Sequence, residues 1–421
     1  MQSFTIAPTP HLVFGTESIT QLGLSIRSRG GHTAAIVVGR SLLRDAEFAA
    51  GLSAHLGESG VAALFYRWDC PPAEDPVAFL REVDELRALA DAVTRSDGEV
   101  SEPSPDIVDA IAASLPEAPD VVVAIGGGSA VDTGKALSAA IVMQGSIADY
   151  LEGVGSKEPT GTKVPFIAVP TTAGTGAEAT KNAVLARRGP DGFKKSLRHH
   201  RYVPDVAIID PQLALGCPAS VTGASGLDAL TQLLEAYVST KANPYTDSLA
   251  LTGLEHLGRS FLRAVERGTT DVDARAGMAF AAYLSGVCLA NAGLGTVHGL
   301  AGVAGALAPV PHGAFCARLL GPTVKQTIAA LTRRRDALGA LGKYAAAAQA
   351  LTGRSGGSLE EKHALLIARI EEYVRVAEIP SLSHYSLTED LVTEIAAHGS
   401  NKNNPYLFEQ AEREALLRAA L

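Results

Sequence analysis

Twelve residues decide the fold of this chain: Ala124-Ile125-Gly126-Gly127-Gly128-Ser129-Ala130-Val131-Asp132-Thr133-Gly134-Lys135. They follow the apolar run Val121 to Ile125, which predicts a buried strand, and they open a helical stretch from Ser129 to Val142. Three adjacent glycines let backbone N–H groups come close to a pyrophosphate, and the start of a helix adds partial positive charge. The spacing is not the GxGxxG fingerprint, so this turn alone is weak support for a dinucleotide site.

A second loop of small residues strengthens this interpretation. The apolar run Pro165 to Val169 predicts another strand, and Pro170-Thr171-Thr172-Ala173-Gly174-Thr175-Gly176-Ala177-Glu178 follows it. In α/β folds, loops at the carboxyl ends of neighbouring parallel strands face one crevice that binds nucleotides. The alternative is that both loops are only tight turns. The pair of loops favours a dinucleotide site whose phosphate or nicotinamide is hydrogen-bonded by Thr171, Thr172 and Thr175.

The first half of the chain alternates short apolar runs with helical patterns. Thr33 to Val38 and Val61 to Tyr66 predict strands, and Ser41 to Leu56 predicts a helix. This alternation is typical of parallel strands joined by crossover helices. After Asp210 the β-branched runs end and Ala/Leu-rich helical periods continue, so we place the domain boundary between Pro211 and Pro218.

One stretch in this first half reads as an insertion. Residues Pro72 to Ser101 are charged and Ala/Leu-rich, which predicts a helix followed by a polar linker. The stretch ends before Pro103-Ser104-Pro105, where Ser104 can cap the start of another helix.

The overall composition excludes several classes of function. The chain has 421 residues, 47% of them hydrophobic, which is enough for two cores. Its formal net charge of −9 disfavours nucleic-acid binding, and we interpret the basic run Lys194 to Arg201 as solvated surface or the edge of a substrate site. The 4 cysteines form no CxxC pair, as expected for reduced thiols. Because the N-terminus does not resemble a leader, we expect a cytoplasmic protein.

A long charge-free segment could be mistaken for a membrane span. From Ala276 to Ala317 there is no Asp, Glu, Lys or Arg, but the segment contains many glycines, prolines and two histidines. Its aliphatic content is mostly alanine. We therefore predict buried helices around a site, with no membrane contact.

Four polar side chains of the second half form a candidate metal set. Asp228 and Gln232 are four residues apart in a predicted helix, Thr222 to Val238, so they share one face. His298 lies on a Gly/Ala-rich helical stretch, and His312 follows a proline in a predicted loop. A histidine in apolar surroundings is more often a core residue, but together these donors suit Fe²⁺ or Zn²⁺ with an open position. Spacing alone leaves both interpretations open.

Five ordered segments resemble the diagnostic segments of the iron-containing (group III) alcohol dehydrogenases. They are GGGSAVDTGKA, PTTAGTGAEAT, PDVAIIDPQL, GLDALTQLLEAYVS and NAGLGTVHGLAGVAGALAPVPHG. The resemblance runs from His11 to Asn404-Pro405. It implies an α/β plus all-α fold: a Rossmann-like dinucleotide-binding domain over residues 1–213 and an all-helical metal-binding, catalytic domain over residues 214–421, in a dehydroquinate synthase-like arrangement with cofactor and metal in the cleft between them.

The resemblance also assigns roles to individual residues. Asp132 aligns with a cofactor position, and we expect it to face the nicotinamide end. The full set of implied cofactor-binding positions is Gly39, Gly127, Gly128, Ser129, Asp132, Thr171, Thr172, Thr175 and Lys195. The implied metal-binding positions are Asp228, Gln232, His298 and His312.

Three positions depart from the family. Its fourth ligand, a histidine, is replaced by Gln232, whose neutral amide oxygen is a weaker donor than imidazole, although related glycerol dehydrogenases use only one Asp and two His. A further active-site histidine is replaced by Gly302, which removes a candidate proton relay. The acidic residue that holds the adenosine ribose in NAD-preferring members aligns with Gly39, and Arg40 follows it. Of the two cofactors, NADP and NAD, this favours NADP.

We predict an alcohol dehydrogenase or aldehyde reductase. A divalent metal, iron or zinc, on Asp228, His298 and His312 would polarise the oxygen of a small alcohol or aldehyde while hydride passes to or from the nicotinamide. These three are therefore the predicted catalytic residues. We expect a small-molecule substrate, no nucleic-acid partner and a homo-oligomer, a dimer.

Three other functions fit part of the pattern. A metal-independent reductase resembling maleylacetate reductases shares the fold but not the full ligand set. A cyclase resembling dehydroquinate synthase needs basic residues for a phosphorylated substrate, and Ala276 to Ala317 contains none. A degenerate nucleotide-binding module would account for Gln232 and Gly302.

The turn at Gly39 generates a test of cofactor preference. We expect NADP(H) to be used at least as well as NAD(H), because Gly39 presents no carboxylate to repel a 2′-phosphate. The measurement is kcat/KM with each cofactor and one aldehyde. A preference for NAD(H) of more than about tenfold, roughly 1.4 kcal/mol, contradicts this interpretation of the turn.

Overall fold

The computed structural model describes residues 3–39, 46–69, 102–187, 192–334 and 337–421. The predicted insertion at Pro72 to Ser101 and the predicted contact at Arg40 lie outside the described residues. The chain divides into two compact units. We call them the α/β unit, Pro8–Thr172 with Ala177–Gly216, and the helical unit, Cys217–Leu421 with Met1–Ala7 and Ala173–Gly176.

The α/β unit alternates strands and helices. Its strands are β1 (His11–Phe14), β2 (Thr33–Val38), β3 (Ala62–Arg67), β4 (Val121–Gly126), β5 (Phe166–Pro170), β6 (Asn182–Arg187), β7 (Phe193–Arg198) and β8 (Val206–Ile209). Its described α-helices are α1 (Leu22–Arg27), α2 (Ala46–Glu58), α3 (Pro105–Ser114) and α4 (Gly128–Ala140). Ser104 caps α3 by accepting a hydrogen bond from the backbone N–H of Asp106, as predicted.

Six strands form a parallel sheet in the order β1-β8-β5-β4-β2-β3. Alternate residues of β4 enter two separate apolar clusters: Val121 and Val123 pack into one, and Val122 and Ala124 into the other. A strand buried on both faces reads as a continuous apolar run, which explains why the central strands β2, β4 and β5 were predictable. Because β4 and β5 are neighbours in parallel register, the two loops that follow them emerge at the same edge.

Two features of this unit were missed. The edge strand β1 and its neighbour β8 are four residues long, too short to show a period. Strands β6 and β7 form an antiparallel hairpin in which the basic run begins, so that Lys194, Lys195 and Arg198 lie on a strand. Lys194 pairs with Glu102 at 2.9 Å and Arg198 with Glu152 at 3.1 Å.

The helical unit contains the rest of the chain. Its α-helices are α5 (Ala219–Val238), α6 (Pro244–Arg267), α7 (Val272–Ala292), α8 (Thr296–Leu307), α9 (His312–Thr332), α10 (Leu338–Thr352), α11 (Leu359–Val376), α12 (Glu389–His398) and α13 (Gln410–Arg418). The six-stranded sheet and this following set of helices confirm the predicted α/β plus all-α fold class.

The charge-free segment forms three helices of the helical unit, α7, α8 and the beginning of α9. No single helix in the described ranges is long and apolar enough to cross a membrane. Helices α7 and α8 reach that length and composition only as a pair, and the pair is bent by 99°.

A backbone contact fixes the second glycine-rich loop inside the helical unit. Gly176 has a φ of +61°, a value that favours glycine, and it lies against Gly286 in the middle of α7. A Cβ added to Gly286 would lie 2.3 Å from the carbonyl oxygen of Gly176. Both positions therefore need glycine for steric reasons.

Two glycine-to-alanine substitutions should change stability in opposite directions. Gly286→Ala should lower the free energy of unfolding by about 1–3 kcal/mol, because the new methyl group would overlap backbone atoms, which cannot turn aside as a side chain can. Gly302→Ala is the matched control in helix α8, where a Cβ meets no atom within 4 Å, and it should raise stability by up to about 1 kcal/mol. Urea titration of both variants decides, and stabilisation by Gly286→Ala contradicts the close packing.

Candidate functional site

Four side chains of the helical unit bring metal-binding atoms together. Asp228 on α5, His298 on α8 and both His312 and Cys316 on α9 each offer one donor atom, and these atoms all lie within 4.8 Å of one another. His312 is the first residue of α9 and Pro311 is its N-cap, so the predicted loop position for His312 was wrong. Proline is tolerated at the position that precedes a helix, and Pro311 marks the start of α9.

The donor atoms are close to evenly spaced. The Nε2 atom of His298 is 3.2 Å from Oδ1 of Asp228, and the Nε2 atom of His312 is 3.5 Å from the same oxygen. The Sγ atom of Cys316 lies 3.8 Å from Nε2 of His298 and 3.7 Å from Nε2 of His312. One carboxylate, two imidazoles and one thiol are donors that fit a borderline divalent metal ion.

The cluster is buried on all but one side. The side chains of Asp228 and His298 are 2% and 6% exposed, whereas His312 is 31% exposed. Of these three side chains, His312 is the one that solvent reaches most.

Glu235 orients His298 from behind. Its Oε2 atom is 2.8 Å from Nδ1 of His298, and its Oε1 atom accepts a hydrogen bond of 2.7 Å from the backbone N–H of Val297. A carboxylate on Nδ1 fixes the imidazole ring so that Nε2 faces the donor cluster. Glu235 was not predicted from the sequence, although its position seven residues after Asp228 on the same helix face was a usable signal.

Gln232 lies beside the cluster with its amide group fully engaged. Its Nε2 atom donates to the carbonyl oxygen of Thr175 at 3.2 Å and to Oδ2 of Asp228 at 3.4 Å. Its Oε1 atom accepts a hydrogen bond of 3.2 Å from Ser285. The amide nitrogen, and not the oxygen, therefore contacts the carboxylate of Asp228.

The charges in the cluster depend on one another. Burial opposes ionisation of Asp228, but the neighbouring His312 and the hydrogen bond from His298 outweigh it and lower the pKa of Asp228 to about 2. Burial raises the pKa of the Cys316 thiol to about 11, while His298 acts in the opposite direction. Asp228 is therefore ionised over the whole physiological pH range.

Gly302 leaves open space four residues after His298 on α8. Its position is exposed, and a Cβ placed there would meet no atom within 4 Å. An added methyl group would therefore meet no neighbour at this position.

In the α/β unit, three of the predicted cofactor segments converge. The backbone N–H of Thr171 donates to the carbonyl oxygen of Gly126 at 2.9 Å, and a Cβ on Gly127 would lie 3.2 Å from Oγ1 of Thr172. Gly39 donates its N–H to Ile125 at 2.8 Å, and a Cβ on it would lie 3.2 Å from Cα of Gly126. Gly128 and Ser129 begin α4, with Gly127 at its N-cap.

Two ionisable side chains, Asp132 and Lys135, lie on α4 shortly after this turn. Oδ2 of Asp132 accepts a hydrogen bond of 3.1 Å from the backbone N–H of Val184, whereas its buried Oδ1 has no hydrogen-bond partner in the described part of the chain. Burial raises the pKa of Asp132 to about 6 and lowers that of Lys135 to about 8. Nζ of Lys135 donates to the carbonyl oxygens of Ala177 and Asn182 at 2.7 and 2.6 Å, which fixes the chain after the second loop.

Two predicted cofactor residues take no part in these contacts. Lys195 is exposed on the hairpin strand β7. Thr175 belongs to the helical unit, where its carbonyl oxygen accepts the hydrogen bond from Gln232.

Sequence comparison assigns both halves of the chain to one family. Residues 78–211 match the family described as iron-containing alcohol dehydrogenase, and residues 222–421 match its C-terminal domain. The protein named "Probable alcohol dehydrogenase EutG" of Salmonella typhimurium is 32% identical over 385 residues, which cover 91% of this chain and 86% of that protein. The 1,3-propanediol dehydrogenase of Klebsiella pneumoniae is 38% identical over 245 residues, covering 58% of this chain and 60% of that enzyme.

Solved structures of this type are also similar over the full length. A 1,3-propanediol oxidoreductase has a TM-score of 0.82 at 28% identity, with 100% of both chains covered. An alcohol dehydrogenase from Oenococcus oeni has a TM-score of 0.81 at 25% identity, again with 100% of both chains covered.

Glu235 should control metal affinity although it is not a donor to the cluster. Glu235→Gln should weaken zinc binding by about 10–100-fold, because Nδ1 of His298 loses its carboxylate partner. The measurement is the zinc Kd by competition with a chromophoric chelator. Glu255→Gln, at an exposed glutamate on α6, is the control and should leave the Kd unchanged. Equal affinity in the two variants would rule out the positioning role.

Proposed function

This chain belongs to the iron-containing alcohol dehydrogenase family, and from that premise we propose that it interconverts a small primary alcohol and its aldehyde with a nicotinamide cofactor. The observation that carries the proposal is the buried cluster of Asp228, His298 and His312, open on the His312 side. A divalent metal held by these residues supplies Lewis acidity, which polarises the alcohol or aldehyde oxygen and lowers the alcohol pKa.

The chain's own residues prepare this site. Asp228 contributes a permanent negative charge, because its pKa is about 2. Glu235 holds the ring of His298, and Gln232 occupies the second oxygen of Asp228, so that Oδ1 faces the cluster. These contacts position the donors before a ligand arrives, which reduces the cost of ordering them.

Proton exchange at this site involves water in our proposal. Where other members of the family have a second histidine, Gly302 leaves exposed space. With no imidazole there, the alcohol proton passes to solvent on the open side of the cluster, next to the partly exposed His312.

The cofactor is proposed to bind at the convergent turns of the α/β unit. The dinucleotide supplies the hydride, and the protein supplies position. Gly127, Gly128 and Ser129 at the start of α4 would bind the pyrophosphate, and Asp132, whose buried Oδ1 lies 3.9 Å from Nζ of Lys135, would face the nicotinamide end. We keep NADP(H) as the favoured cofactor, since Gly39 packs against Gly126 and carries no carboxylate.

The metal requirement gives the main test. His298→Ala should abolish metal retention and lower kcat/KM for aldehyde reduction by at least about 100-fold, because one donor is lost and Asp228 loses its main hydrogen bond. His312→Ala should behave similarly. His398→Ala, at an exposed histidine that ends α12, is the matched control and should behave as wild type.

The measurement is metal content after matched dialysis against a chelator, together with an alcohol and aldehyde screen before and after zinc or iron is added back. Full activity of wild type without metal, with His298→Ala unchanged in rate, would establish the metal-independent reductase instead. No turnover of any aldehyde with either cofactor would leave a nucleotide-binding module.

A further inference from the structure

We propose that Cys316, and not Gln232, is the fourth protein ligand of the metal, so that the set is Asp228, His298, His312 and a cysteine thiolate. This inference rests on the proposed metal-dependent function and specifies its ligand set. It also specifies the metal, because a thiolate in place of a neutral amide shifts the preference of the site towards zinc.

The spacing of the donor atoms agrees with one tetrahedral site. With Zn–S of about 2.3 Å and Zn–N or Zn–O of about 2.0 Å, tetrahedral S···N edges are about 3.5 Å and N···O edges about 3.3 Å. The Sγ atom of Cys316 lies 3.8 and 3.7 Å from the two imidazole nitrogens. The two nitrogens lie 3.2 and 3.5 Å from Oδ1 of Asp228. Four of the six edges are thus within about 0.3 Å of the expected values.

Gln232 is held in an arrangement that turns its oxygen away. Its oxygen accepts from Ser285, and its nitrogen donates to Thr175 and Asp228. Coordination through the oxygen would require the amide to turn and give up these contacts. The residue is 2% exposed, so water cannot replace them. Gln232 thus acts as a positioning residue for Asp228.

The spacing along helix α9 places Cys316 beside His312 at the donor cluster. It lies one turn after His312 on α9, so both side chains project from the same face. Metal binding would replace the thiol proton, which passes to solvent, and the thiolate then binds the cation.

The competing interpretation is that Cys316 is an ordinary buried residue of the apolar cluster that contains Phe315 and Leu319. Cys288 shows what such a residue looks like in the same unit. It is fully buried on α7, and its Sγ atom is 3.6 Å from the carbonyl oxygen of Thr246. Cys288 is therefore a matched control for burial.

The experiment uses Co²⁺ as a spectroscopic probe on the full-length protein after its native metal has been removed. A cobalt–thiolate bond gives a near-ultraviolet charge-transfer absorption that oxygen and nitrogen donors do not give. We expect this absorption in wild type, Cys288→Ser and Gln232→Ala, and its loss in Cys316→Ser and Cys316→Ala. The zinc Kd should rise at least about tenfold in the Cys316 variants and change less than about threefold in Cys288→Ser.

The outcomes separate this inference from the proposed function. Wild type that binds cobalt and reduces aldehydes but lacks the charge-transfer absorption overturns the cysteine ligand and leaves the function intact. Wild type that binds neither zinc nor cobalt, with His298→Ala still active, overturns both. The wild-type spectrum needs no substitution, so it decides the question even if a Cys316 variant fails to fold.

Discussion

A chain of hydrogen bonds through the interior of the helical unit, from Glu235 to His298 to Asp228, is the interaction on which the site depends. Three ionisable groups out of contact with water are tolerated only when each is paired, since an unpaired buried charge costs several kcal/mol. Each imidazole nitrogen of His298 faces a carboxylate, and the amide nitrogen of Gln232 donates a hydrogen bond to Oδ2 of Asp228. These hydrogen bonds join α8 to α5 at the donor cluster, which His312 and Cys316 of α9 complete.

The α/β unit uses a buried cation in a comparable way. Lys135 is completely buried in α4, yet its ammonium group donates to two backbone carbonyl oxygens and to the hydroxyl of Thr180. Its contacts reach the chain after β5, while α4 itself begins at the turn after β4. One side chain thus links the two segments that form the convergent turns. In both units, burial of charge fixes the backbone that surrounds a functional position.

Much of this was available from the sequence, for identifiable reasons. The apolar runs of β2 and β4 are buried on both faces and so are continuous, and Ser104 before α3 is a strong cap signal. The spacing of Asp228 and Gln232 placed them on one helix face. The hairpin β6–β7 was not predicted because β6 is a short run with little β-branched content and β7 contains Lys194, Lys195 and Arg198, which read as a basic surface run. Glu235 was missed since its partner His298 lies on another helix, and Cys316 was missed although it lies one turn after His312. The direction in which the amide of Gln232 points depends on Ser285, 53 residues away.

The contact between Gly176 and Gly286 also limits which substitutions the chain can accept at these two positions. Most packed positions tolerate change because a neighbouring side chain can shrink or turn when another grows. Here backbone faces backbone, so no second substitution on the opposite side can compensate for a first. The two positions are fixed together, and with them the path of the loop that supplies the carbonyl oxygen of Thr175 to Gln232. By contrast, Gly302 faces open space, so a single substitution can add a side chain there without a steric clash. Substitution near the site is therefore sterically easier at Gly302 than at Gly176 or Gly286.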